Sequence, residues 1–136
     1  MGMCAELSAL VIDSVRKIQP DLVIIEQTNL SFNSRYSQKA LEWLHYAVIY
    51  ALIQDSESQF DYISSSEWRS FVGVKMTKEQ RLHNKEVKSK KKRGKITMKH
   101  LVVAEVNRIY DKQFKLKDND VCDAILMGTS YLKKHY

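Results

Sequence analysis

The sequence predicts an α/β fold, and three observations carry that expectation. A helical pattern runs into Pro20, the only proline, a short β-branched apolar run follows at once, and a long segment without Gly or Pro comes next. Helix, strand and helix joined by short connections is the order of alternating α/β architecture. With 136 residues, 44% of them hydrophobic, one domain over 1–136 with a modest core is the natural expectation.

In "CAELSALVIDSVRKIQP", Leu7, Leu10, Val11, Val15 and Ile18 recur at helical spacing, with Glu6, Asp13 and Lys17 opposite. Pro20 ends that helix. "DLVIIE" (21–26) reads as a strand buried on both faces, because four consecutive apolar residues stand between a proline and a polar loop. "QTNLSFNSR" is rich in turn formers, and Ser34 is a candidate cap for the helix of 35–54. The second half of that helix is apolar nearly all round, which calls for cover on more than one side, by a sheet and by another layer or a partner subunit.

"FDYISS" (60–65) reads as a second short strand, and "SEWRSFVG" (66–73) as a short helix capped by Ser66 and stopped by Gly73. Residues 74–95 show no sustained apolar period and read as a mobile loop or a frayed polar helix. The pattern resumes over 96–114 through Leu101, Val102, Val106 and Ile109, with Thr97 as candidate cap. The last segment is an amphipathic helix whose apolar face is expected to include Val121, Ala124, Ile125 and Leu132.

Composition excludes several classes. Cys4 and Cys122 cannot make a disulfide framework, and the four histidines lack zinc-ligand spacing, so a reducing, cytoplasmic setting is expected. The most apolar stretch after the N-terminal helix, "AVIYALI" (47–53), is far short of the roughly 20 residues that span a bilayer. No membrane partner is expected. The net charge of +6 is uneven: from Lys75 to Lys99 eleven basic residues face two acidic ones, which leaves the rest of the chain at −3. A block of this kind points to a polyanion.

Three acidic residues draw attention. Glu26 ends an apolar, parallel-type strand, where α/β folds place their sites. In "KDNDVCDAILMG", Asp118 or Asn119 suffices as a helix cap. Asp120 and Asp123 then fall about one turn apart on one face, where like charges repel unless a cation bridges them. Hard carboxylate oxygens are what magnesium takes. The aromatic residues Phe32, Tyr36, Tyr62 and Trp68 read as core before they read as base-stacking groups, and His45 and Cys122 as structural.

These residues resemble a family. "PDLVIIEQTNLSFNSRYSQKALEWLHYAV" is similar to the RuvC-type Holliday junction resolvases, in which a helix, a proline and an apolar strand ending in Glu-Gln lead through a polar loop to a long helix. "DNDVCDAI" resembles the closing D-x-x-D-A motif of that family, and the likeness covers most of residues 7–133.

The resemblance implies an RNase H-like fold, with a central mixed sheet flanked by helices. It also implies a homodimer that cuts opposed strands of a four-way DNA junction, using two Mg²⁺ or Mn²⁺ ions. Carried over by position, Glu26 is the second carboxylate, Asp120 the third and Asp123 the fourth. The family's opening β-meander, which carries its first catalytic Asp, has no counterpart here, so the fold is expected to be incomplete at its N-terminal side. Asp13 does not replace that residue: its helical pattern puts it on the polar face, and thirteen residues before Glu26 cannot hold two further strands and a helix.

Beside such a frame, Lys75, Lys88, Lys90, Lys91, Lys92, Arg93 and Lys95 read as contacts to the DNA backbone, positioning without sequence code. The small size and single basic segment fit a phage or mobile-element form. Two rival readings use the same residues: a catalytically incomplete module that binds junctions or nucleic acid, and another RNase H-like nuclease acting on RNA–DNA hybrids.

Overall fold

A computed structural model describes residues 2–27, 35–55 and 57–136. The chain is α/β, and its backbone clusters into two compact units, 1–64 and 65–136. Phe32 and the expected cap Ser34 lie outside the described residues. Among the described residues no helix is long and apolar enough to cross a membrane.

The first unit holds helix α1 (Gly2–Ile18), strand β1 (Leu22–Glu26), helix α2 (Arg35–Asp55) and strand β2 (Gln59–Ile63). β1 and β2 pair in parallel, from Leu22 opposite Gln59 to Glu26 opposite Ile63. Gln27 extends the ladder, its N–H donating to the Ile63 carbonyl at 2.9 Å. The core is Ile12, Val15 and Leu52, with Val23, Ile25, Val48, Ala51 and Phe60 against it. Asp13 is helical and exposed, as the periodicity requires, with Arg16 4.0 Å away.

Two burial expectations are corrected here. On α1 the buried stripe is Ser8, Ile12 and Val15, whereas Leu7, Leu10, Val11 and Ile18 are exposed. The apolar arc of this helix exceeds what one neighbouring helix covers, so periodicity identified the helix and not its buried edge. β1 is half-buried along its apolar run instead of fully enclosed, because the described sheet has two strands. The second half of α2 buries Leu52 and packs Val48 and Ala51 in this core, and its other side, with Tyr46, Tyr50 and Ile53, is exposed in the single chain.

The second unit is helical: α3 (Ser65–Phe71), α4 (Lys78–Ser89), α5 (Met98–Tyr110) and α6 (Asn119–His135). α6 packs against α3 and α5, and Trp68, Val102, Val106, Cys122 and Leu126 are fully buried. α3 starts at Ser65, which places Ser66 inside the helix instead of at its cap. Gly73 stops it with φ of 74°, a conformation costly for other residues, and the Val74 N–H closes on the Arg69 carbonyl at 2.9 Å.

The segment 74–95 is more ordered than a loop or a frayed helix. α4 begins with a reciprocal cap: the Gln80 N–H donates to Thr77 Oγ1 at 3.2 Å, and the Thr77 N–H to Gln80 Oε1 at 2.9 Å. Beyond α4, Asn84 closes the following turn with two bonds. Its Nδ2 donates to the Ile96 carbonyl at 2.7 Å, and its Oδ1 accepts the Ile96 N–H at 2.7 Å. Lys91 (φ 50°) and Gly94 (φ 105°) supply the left-handed residues that the reversal needs. On α6 the buried face is Cys122, Leu126 and Ser130, with Val121 and Leu132 exposed, so the expected apolar face is displaced around the helix.

Candidate functional site

The entry to α6 is fixed from two sides. Asn107 repeats the Asn84 device: its Nδ2 donates to the Phe114 carbonyl at 3.0 Å, and its Oδ1 accepts the Phe114 N–H at 2.8 Å. A single 3-10 turn, Leu116–Asp118, then leads into the helix. Asp118 occupies the cap position, but its carboxylate accepts the Lys115 N–H at 2.9 Å and makes no side-chain bond to α6. The expected Asp118 cap is thus spent on the preceding turn, and Asn119 donates back to the Leu116 carbonyl at 3.0 Å.

Asp120 follows in the first turn of α6 and is exposed. A carboxylate there is favoured by the free N–H groups of the helix start. Asp123 lies one residue after the fully buried Cys122 and is itself half-buried. Its carboxyl is pushed above the ordinary aspartate range chiefly by burial and further by the Asp120 charge, against the opposing pull of Arg69 and Lys99. The Cys122 thiol is also pushed up, by burial first and then by Asp118 and Asp123, so it is a packing group and not a nucleophile.

Arg69 and Lys99 were not legible as site residues in the sequence. Arg69 follows a core tryptophan on α3 and carries its guanidinium 5.0 Å from the centre of the Trp68 ring, with its Nε buried and without a hydrogen-bond partner. Sequence spacing gives no hint that α3 and α5 bring cations toward α6. The result is a mixed site, two carboxylates on one turn and two cations in their field. Carboxylate oxygens are the ligands that hard divalent ions take, and guanidinium and ammonium groups are those that pair with phosphate.

Glu26 is exposed at the carboxyl end of β1, in the first unit. In neither unit do the described residues gather three His, Cys, Asp or Glu side chains placed to hold a metal ion. The basic candidates Lys75, Lys88, Lys90, Lys91, Lys92, Arg93 and Lys95 are all exposed, the last six on the end of α4 and its closing turn.

The aromatic candidates divide. Trp68 is fully buried and belongs to the core, whereas Tyr36 is exposed. Tyr62 stacks on His45 with ring centres 5.2 Å apart and Nε2 to hydroxyl at 3.1 Å, which makes His45 structural. The Tyr62 hydroxyl is pushed up by burial and by Tyr46. A groove of about 690 Å³ lies at the opposite end of the sheet from Glu26, against Pro20, Asp21 and Gln59. No protein-family model, curated protein or solved structure matches the chain.

Proposed function

We propose that the protein is a metal-dependent endonuclease of branched DNA, of the RuvC type on an RNase H-like fold. The observation that carries this reading is the Asp120–Asp123 pair, two carboxylates on one turn of α6 with Asp123 held above its ordinary range by burial and by its neighbour. A carboxylate that is half-buried next to a second one destabilises the fold unless a cation joins them. Asp120 and Asp123 are hard oxygen donors of the kind that Mg²⁺ or Mn²⁺ takes, and Glu26 enters this reading through the family resemblance alone. Bound there, such ions supply activation of a water and charge relief at the leaving 3′ oxygen.

The protein's own groups do the rest. Arg69 and Lys99, set against the carboxylate pair, neutralise the phosphate to be cut, and the cations at the end of α4 hold the flanking backbone. A homodimer matches the two-strand symmetry of a four-way junction. The exposed Trp43, Tyr46 and Tyr50, which line a groove of about 530 Å³ between α1 and α2, support a partner on that face.

The test is nicking of a synthetic four-way junction in Mg²⁺ or Mn²⁺. Asp120→Asn and Glu26→Gln are expected to lower cleavage by at least about a hundredfold, the order lost with a single catalytic stabiliser, while junction binding in EDTA stays within a few-fold. Cleavage by neither ion would remove the enzymatic reading. One observation favours a second reading, a binding module without catalysis: Arg69 and Lys99 already offset part of the Asp120–Asp123 charge without any metal. Junction binding with no metal uptake by calorimetry would select it. Preferred cleavage of an RNA–DNA hybrid over the junction would select the third reading.

A further inference from the structure

α4 carries more than its closing turn. Lys78, Arg81, Lys85 and Lys88 are spaced three, four and three residues apart, so they form one line along the helix, and all four are exposed. The opposite line is engaged by the protein's own fold: Gln80 is held in the reciprocal cap with Thr77, Asn84 holds Ile96, and Val87 is buried. The cationic line is therefore fixed in direction. His83 adds a further tie, its Nε2 3.0 Å from the Gly94 carbonyl.

This line works against the stability of its own helix. Lys78 stands in the first turn, where the helix dipole disfavours a cation. Each like-charged neighbour one turn away costs a few tenths of a kcal/mol in an isolated helix. Glu86, one of the two acids on α4, is paired with Lys90 of the turn and not with the line. A row of mutually repelling cations on a pinned helix has an electrostatic demand that a row of phosphates meets.

The dimensions favour a duplex. From Lys78 to Lys88 the helix rises about 15 Å, and along that length one strand of B-DNA presents about four phosphates. The helix with its side chains is also about as wide as the B-form major groove, whereas that of an RNA duplex is too narrow and deep to admit it. Reading adenine edges takes a free Asn or Gln, and the two amides of α4 are both committed to its own fold. Leu82, 64% exposed beside Lys78 and Lys85, offers apolar contact without a code.

We infer that α4 is a second DNA-contact element, gripping the backbone of a double-stranded arm through Lys78, Arg81, Lys85 and Lys88 without regard to sequence. It extends the proposed function by naming the duplex arm as the ligand of this helix.

The experiment is fluorescence anisotropy with a labelled DNA duplex in EDTA over a salt series, on the full chain. Replacing Lys78, Arg81 and Lys85 together by Gln is expected to flatten the slope of log affinity against log salt by about 2.7, three lost phosphate contacts at about 0.9 each. Replacing the same three by charge-retaining residues (Lys78→Arg, Arg81→Lys, Lys85→Arg) is expected to restore the slope, which separates lost charge from a lost fold. Two duplexes of unrelated sequence are expected to bind alike. A slope changed by less than about one, a strong preference for one duplex, or equal binding of an RNA duplex would overturn the inference. Metal-free binding also keeps it apart from the nuclease reading: a wild-type protein that grips duplex through α4 and cleaves nothing sinks the nuclease and leaves α4 standing.

Discussion

Asp123 is where burial and function pull against each other. Its carboxyl is held above the ordinary aspartate range, so the folded state keeps a proton that the unfolded chain releases first. Stability from this group is therefore complete below the ordinary value and is lost as pH rises toward the folded one. In metal-free buffer Asp123→Asn is expected to melt higher than wild type at pH 7 and at the same temperature near pH 3. Paired thermal scans at the two pH values check this, and a variant that melts lower at pH 7 would mean the carboxylate is a net stabiliser. The acidic pair itself was legible in the sequence, since a three-residue spacing before an apolar run puts both aspartates on one turn. Arg69 and Lys99 were not, because only the packing of α3 and α5 on α6 brings their charges to Asp123.

Two asparagines shape the second unit at the level of its elements. Asn84 and Asn107 each sit inside a helix and each make a donor and an acceptor bond to one backbone position beyond it. Replacing either by Ala removes two hydrogen bonds and leaves half-buried backbone groups unpaired, an expected loss of about 2 kcal/mol. Urea unfolding of Asn84→Ala should show a lower midpoint with an unchanged m-value. Nothing in the sequence marks these residues, because an asparagine in a polar helix reads as surface. The same blindness hid α4, whose single buried valine gives no apolar period, although Thr77 with Gln80 three residues later is a capping signature. The displaced faces of α1 and α6 have another cause: both helices carry more apolar residues than their neighbours cover, and pattern alone does not choose among them.

At the scale of the whole molecule, the uneven charge and the carboxylate pair give separate experimental handles. Divalent ions that bind only the folded chain raise its melting temperature by mass action, about 2.7 kcal/mol at a hundredfold excess over Kd. Mg²⁺ or Mn²⁺ is expected to raise the melting temperature of the wild type and to do so far less for Asp120→Asn, and calcium-free differential scanning calorimetry reads this without any substrate. An equal rise in both proteins would place the ion elsewhere. The α/β order and the parallel character of β1 were readable from Pro20 and the β-branched run that follows it. Coverage was not: full burial of β1 was expected from its unbroken apolar run, which says nothing about how many neighbours the strand finds.

The Asn84 tie also governs proteolysis. Lys88 through Lys95 offer trypsin its densest run of target bonds in the chain, but a protease must draw an extended strand of several residues into its cleft. The Ile96 backbone is held at both its N–H and its carbonyl, and the Lys92 N–H closes on the Val87 carbonyl at 3.0 Å, so that strand is available only when the turn opens. Limited digestion is therefore expected to cut this run slowly in the native protein and at least several-fold faster in Asn84→Ala. The digestion rate then becomes a direct reading of how often the basic turn comes undone.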